Sequence, residues 1–265
     1  MTIIRKRFTH TLLPALLAAF AGFAACSSDD DAPEPPKPSG YDIYTAGYTT
    51  PASKAVATVW KNGQLLYTLT DGTNDAWAYA VCVSDGDVYA AGSLQSGLTK
   101  PLAVVWKNDK AHYTLSDGET PAGVNALCLS GRTLYAAGHS GGAAAVWKDK
   151  ELLYTLTDGS SYAEATAVCR FGHTLYTAGY HTDGFEEEGV VWKEGQELFD
   201  LSDGSGSGSM PYSVAVCYDD IFTAGTIFGT TRTAVVWHGD EIQYTLSDGT
   251  GHSEAYSMYV VPLYD

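Results

Sequence analysis

The chain has 265 residues, with 31 Asp and Glu against 15 Lys and Arg, a formal net charge of −16 at neutral pH. A surface this acidic repels nucleic acid and anionic lipid, both of which are bound through basic patches. Net charge excludes those partners and leaves the fold open.

In chain order the first element is an export signal. Arg5, Lys6 and Arg7 precede the apolar run TLLPALLAAFAGFAA (11–25), which ends in small residues. That run falls short of the roughly 20 residues of a membrane span and is interrupted by Pro14. It leads into Cys26, and FAAC resembles the lipobox of bacterial lipoproteins, with Phe23 where that motif usually has Leu. The resemblance implies cleavage after residue 25 and acylation of Cys26, hence a lipid anchor in a membrane.

Residues 26–40 read as a tether. SSDDDAPEPPKPSG (27–40) is polar, acidic and proline-rich, a composition that cannot pack. At about 3 Å per residue, a spacer of this kind reaches roughly 40 Å. The acidic run after Cys26 resembles the surface-export signal of lipoproteins in gut-dwelling Gram-negative anaerobes. That resemblance implies an outer-membrane lipoprotein facing the cell exterior.

From residue 41 to 265 one phrase dominates. TVWKNGQLLYTLTDG (58–72) returns as VVWKNDKAHYTLSDG (104–118), AVWKDKELLYTLTDG (145–159), VVWKEGQELFDLSDG (190–204) and VVWHGDEIQYTLSDG (235–249). Trp60, Trp106, Trp147, Trp192 and Trp237 each precede an Asp by 11 residues, and successive Trp lie 46, 41, 45 and 45 apart. A period of 40–45 residues holding four short strands is a propeller blade. In the third copy the strands are VNALCLS (124–130), TLYAAGH (133–139), AAAVWKD (143–149) and ELLYTLT (151–157), punctuated by Gly and Asp. Tight hairpins join the first strand to the second and the third to the fourth, and the irregular stretch after each DG crosses to the next blade.

The ends of the repeat fit that cut. YDIYTAGY (41–48) is a second strand lacking a first, and AYSMYVVPLYD (255–265) is a first strand lacking the rest. The sequence therefore predicts an all-β, five-bladed propeller of four-stranded antiparallel blades. In it, the C-terminal strand completes the blade begun by the N-terminal three strands and removes the open sheet edges.

The recurring Trp, on strands apolar on both faces, fill the wedges between blades. The recurring Asp end the outer strands by bonding nearby backbone. Cys82, Cys128, Cys169 and Cys217 recur one per copy, too far apart for disulfides, and read as buried thiols. Neither zinc spacing nor a DxDxDG calcium loop occurs, so no metal and no cofactor are expected.

Regular five-bladed rings of this kind resemble the tachylectin-type propellers, which bind sugars. The resemblance covers 41–265 in architecture alone and carries over no site residue. The YxAG, VWKNG and LTDG phrases also resemble repetitive surface lipoproteins of gut anaerobes.

A functional face follows from loop variation. Gly-to-Trp spacing varies (13, 14, 9, 13 and 12 from Gly47, Gly92, Gly138, Gly179 and Gly225) while Trp-to-Asp spacing is fixed. Variable loops on a constant scaffold mark a binding face. Counting five residues back from each Cys, or from Tyr259, gives Trp77, Gly123, Glu164, Tyr212 and Glu254 at the mouth of the innermost strands. Aromatics and carboxylates around one axis stack on and hydrogen-bond a sugar. Trp77, Glu164, Tyr212 and Glu254 are therefore the candidate ligand-binding residues, for a glycan or a surface protein partner. Two alternatives stand beside this binding module: a glycan-cleaving enzyme using Glu164 and Glu254 as acid and base or nucleophile, and a structural scaffold in a surface complex. The cluster HTLYTAGYHTDGFEEEG (173–189) hints at a metal. Because His173 and His181 fall at opposite ends of one strand, it is expected to disperse, with EEE as a solvated loop.

Overall fold

In the computed structural model, residues 40–262 are described apart from 96, 98, 99, 184, 185, 203–205 and 249. The export signal, Cys26, the tether up to residue 39 and the repeat residue Asp203 lie outside them. The described residues up to Val260 belong to one compact unit. That unit contains every described strand.

The first sheet comprises β1 (Tyr44–Thr49), β2 (Val56–Lys61) and β3 (Gln64–Thr68). The second comprises β4 (Ala76–Ser84), β5 (Asp87–Gln95), β6 (Pro101–Lys107) and β7 (Lys110–Thr114). In the third are β8 (Ala122–Ser130), β9 (Thr133–Ser140), β10 (Ala143–Lys148) and β11 (Glu151–Thr155). The fourth holds β12 (Ala163–Phe171), β13 (Thr174–Asp183), β14 (Glu186–Lys193) and β15 (Gln196–Leu201). The fifth holds β16 (Ser209–Cys217), β17 (Asp220–Phe228), β18 (Arg232–His238) and β19 (Glu241–Thr245). Each is an antiparallel meander, and together they are the five blades of a propeller, cut where the sequence predicts. Glu186, Glu187 and Glu188 belong to β14 rather than to a loop, because they extend the ladder with β13.

Four of the five recurring Trp share a core cluster with the preceding blade. Trp106 meets Ala57 and Val59, Trp147 meets Ala103 and Val105, Trp192 meets Ala144 and Val146, and Trp237 meets Val191. All four are at most 1 % exposed. Trp60 on the first blade and Val236 on the fifth are only part-buried.

Turn chemistry repeats too. Asn62, Asn108, Asp149 and Glu194 adopt φ of 51–57° in the β2–β3, β6–β7, β10–β11 and β14–β15 turns. Their side chains accept the N–H of Ile43, Val88, Leu134 and Leu175 respectively, which ties each turn to the hairpin beside it. At the other end Asp71, Asp117, Asp158 and Asp248 accept the backbone N–H two residues on. These Asp side chains close Asx turns, which is the structural role expected of them.

Two features differ from the repeat arithmetic. The first sheet has three strands, and residues 251–262 form no regular strand. That segment follows β16 as an inner strand would: Met258 N donates to Ser213 Oγ at 3.2 Å, and the Tyr256 and Tyr212 rings lie 5.0 Å apart. The second difference is Cys217. It pairs with Asp220, as Ser84 pairs with Asp87, whereas Cys82, Cys128 and Cys169 pair with Tyr89, Tyr135 and Tyr176. The counterpart of those three cysteines in the fifth blade is Ala215, opposite Phe222. All four described cysteines are free thiols.

Candidate functional site

The mouth of the innermost strands is shaped by one backbone device. β4, β8, β12 and β16 each carry a bulge, at Ala78/Ala80, Val124/Ala126, Ala165/Ala167 and Pro211/Ser213. The bulge drives a carbonyl toward the YxAG strand. A Cβ on Gly92, Gly138, Gly179 or Gly225 would lie 1.9, 2.0, 2.0 or 2.3 Å from the carbonyl oxygen of Trp77, Gly123, Glu164 or Met210. The repeated AG glycine is therefore a close-approach residue, and it fixes the inner-strand site position. Gly47 meets no carbonyl; its nearest neighbour is the Trp60 ring at 3.2 Å.

This register corrects one of the sequence-derived positions. Trp77, Gly123 and Glu164 are equivalent, paired with Ser93, His139 and Tyr180, but the fifth-blade equivalent is Met210, paired with Thr226. Tyr212 is the bulge residue, the counterpart of Tyr79, Asn125 and Thr166. The cause is the two-residue displacement of Cys217, from which the count was taken.

Around Glu164 the blades bring together residues from β8, β9, β12 and β13. The carboxylate accepts hydrogen bonds from the Tyr162 hydroxyl and from Asn125 Nδ2, the latter at 3.2 Å. His139 Nδ1 is 3.3 Å from Oε1, yet it is buried and lacks hydrogen-bond geometry. Gly123 makes this possible, since a Cβ there would stand 2.9 Å from His139 Cε1. Burial holds the imidazole below its ordinary pKa, against the opposing pull of Glu164. The Tyr162 ring lies 6.1 Å from that of His139 and 6.5 Å from that of Tyr180. Burial first, and then Glu164, raise both tyrosine hydroxyls.

Glu254 has different company. Its carboxylate pairs with the Arg232 guanidinium and accepts the Tyr256 hydroxyl, and these two bonds lower its pKa, Tyr256 first. Arg232 N donates to His252 Nδ1 at 3.0 Å. Arg232, His252, Ser253, Glu254 and Tyr256 line an open cleft of about 550 Å³, with Tyr256 65 % exposed. The Tyr212 ring lies behind that of Tyr256, tilted by 53°, its hydroxyl raised by burial and then by Glu254.

Of the four predicted residues, Glu254 and Tyr212 come together through Tyr256. Glu164 forms a second centre, and Trp77 stands half-buried two blades away from it. Among the described residues no ion pair or hydrogen bond links Glu164 to Glu254. Tyr162, His139, Asn125, Tyr180, Tyr256 and Arg232 were not singled out from the sequence. The residue after each AG glycine (Tyr48, Ser93, His139, Tyr180, Thr226) varies while the glycine does not, and that was the available signal. The His173 to Glu188 cluster disperses: His173 contacts Arg170, and His181 lies 3.9 Å from Glu188. No group of three or more His, Cys, Asp or Glu among the described residues is placed to hold a metal. A second cleft of about 410 Å³, lined by Tyr113 and residues 148–153, opens at the opposite, hairpin end.

No protein-family model and no curated protein matches this chain. Among solved structures it is similar to a Trypanosoma rangeli sialidase in complex with sialic acid, at 13 % identity and a TM-score of 0.45, over 75 % of this chain and 38 % of the sialidase. It is also similar to a glycoside hydrolase, at 13 % identity and a TM-score of 0.40, over 84 % of this chain and 63 % of that one. The chain thus spans less than two thirds of the length of either. These likenesses concern strand architecture, and neither activity is carried over to this chain.

Proposed function

We propose that this protein is a glycan-binding module displayed at a cell surface. In this reading a lipid on Cys26 anchors it in the outer membrane, and the tether up to residue 40 holds the propeller toward the exterior. The binding face is the mouth of the inner strands. One observation carries the reading: Tyr256, backed by Tyr212, stands beside the Glu254–Arg232 pair in an open cleft. An exposed ring stacks on the apolar face of a pyranose, while a carboxylate and a guanidinium accept from and donate to its hydroxyls. Trp77 offers a further ring on the same face. Individually weak sites of about 1 mM gain roughly 10²–10⁴ in avidity on a repeating target.

Binding is preferred to hydrolysis on the chemistry of the carboxylates. A glycosidase pair needs one carboxyl group held protonated as the acid. Glu254 is driven the other way by Tyr256 and Arg232, which leaves it unsuited to the role of the acid.

A glycan array probed with the wild-type protein and with Trp77→Ala, Tyr256→Ala and Glu254→Gln tests the reading. Binding that is lost in Tyr256→Ala or Glu254→Gln supports it. No binding to any glycan, or binding untouched by all three changes, refutes it in favour of a scaffold or a protein partner.

A further inference from the structure

The two carboxylates at the mouth differ in one respect: Glu254 pairs with a guanidinium, whereas among the described residues Glu164 has only an imidazole beside it. Among the described residues the only basic side chain within 4 Å of Glu164 is His139. Burial of that imidazole favours its neutral form. The donors that do reach Glu164, Tyr162 and Asn125, are neutral. Yet the Glu164 side chain is only 20 % exposed, about as enclosed as Glu254 at 15 %. An anionic side chain so enclosed is ordinarily paired with a cation.

The surroundings match the missing partner. The Tyr162 and Tyr180 rings lie 6.5 Å apart at 55°, and the His139 ring lies 6.1 Å from that of Tyr162 at 52°, so three tilted rings cluster beside the carboxylate, which takes the Tyr162 hydroxyl and approaches His139 Nδ1. Tyr162 is 46 % exposed, which leaves one side of this group open to solvent. Aromatic faces beside a carboxylate hold an organic ammonium by cation–π and charge attraction together. They hold a small, strongly hydrated metal ion poorly, and clusters of several carboxylates or imidazoles that would ligate one are absent among the described residues.

We infer that Glu164, Tyr162, Tyr180 and His139 form a subsite for a ligand ammonium group, so that the glycan recognised at this face carries a free amine. This rests on the glycan-binding reading above and narrows it to amino sugars. The two centres then divide the ligand between them. The Glu254–Arg232 cleft takes neutral hydroxyls, and Glu164 takes the charge. Acetylation of the amine removes that charge and with it the contribution of the subsite.

Calorimetric titration of the purified protein with glucosamine, N-acetylglucosamine, glucose and tetramethylammonium chloride tests this, with sodium chloride as the ionic-strength control. Glucosamine is expected to bind at least about tenfold more tightly than N-acetylglucosamine or glucose. Tetramethylammonium should compete with it where sodium chloride does not. Glu164→Gln, which keeps the shape and removes the charge, should bring the amine preference to about one, while Glu151→Gln at the far end of the propeller leaves it unchanged. Should Glu164→Gln fail to fold, the wild-type competition by tetramethylammonium decides alone. Equal binding of all three sugars leaves the glycan reading standing and overturns the ammonium subsite. Glu164-dependent binding of tetramethylammonium without any sugar supports the subsite and overturns the glycan reading. Binding of none of the four compounds overturns the ammonium subsite and leaves the glycan reading to the array.

Discussion

Gly179→Ala isolates the device that shapes the mouth. The added Cβ would stand 2.0 Å from the Glu164 carbonyl oxygen and 2.7 Å from the Ala165 Cα. A carbon and a carbonyl oxygen ordinarily approach to roughly 3.3 Å, and both obstacles are backbone, so no side-chain rotation relieves them. The β12–β13 ladder must open at the bulge. Overpacking costs about 1–3 kcal/mol and each lost ladder bond about 1 kcal/mol more, together about 4 kcal/mol. For a domain of this size that is a fall of roughly 10 °C in Tm. Gly47→Ala is the internal comparison, because the Cβ there meets only the Trp60 ring at 3.2 Å. It should cost about 1 kcal/mol or less. Urea unfolding followed by tryptophan fluorescence measures both. If Gly179→Ala lay within about 0.5 kcal/mol of wild type, the close-approach account of the AG glycine would be wrong.

Trp237→Ala should cost about 4 kcal/mol, as expected for a fully buried Trp, and part-buried Trp60→Ala clearly less; equal losses in urea melts would mean that the first blade is as tightly packed as the rest. Because Glu254 is held below its ordinary pKa of 4.5, its bonds to Tyr256 and Arg232 stabilise the fold above that pH, and the contribution is lost as pH falls further. Melting curves from about pH 6 down to 3 should therefore drop less for Glu254→Gln than for wild type, and parallel curves would contradict the assignment. Burial pushes the Cys82 and Cys169 thiols up to about 12, so native protein should alkylate at these two sites at least about 100-fold more slowly at pH 8 than urea-unfolded protein, as site-resolved mass spectrometry would show. Cys26→Ala should release the protein from the membrane fraction, and retention would refute the lipid anchor.

The architecture was legible because it is written several times over. The recurring Trp phrase exposed the blade period and the five sheets, whereas the C-terminal strand expected at 255–265 does not form among the described residues, and the first sheet keeps three strands. The site was legible only in part, for a geometric reason. A β-bulge consumes one residue without leaving a composition signal, and the short Cys217–Asp220 turn moves Cys217 two places along its strand. Counting from that cysteine therefore named Tyr212 where Met210 is the equivalent residue. Arg232 joins Glu254 across 22 positions, and Asn125 reaches Glu164 across 39. Asn125 and Glu164 come from neighbouring blades, and Glu254 from the segment after β19, so within-blade periodicity says nothing about these pairs. The sequence therefore pointed to Glu164 and Glu254 as similar groups, without a sign that one is paired with a guanidinium and the other lies beside an imidazole.

Hydroxyl-radical footprinting, with and without a glycan taken from the array, tests most directly whether the inner-strand mouth is the binding face. The account predicts protection of Tyr256, Tyr212 and Tyr162, with Tyr113, Leu152 and Leu153 in the cleft at the hairpin end unchanged. Protection confined to that second cleft, with the mouth tyrosines as reactive as in the free protein, would contradict it.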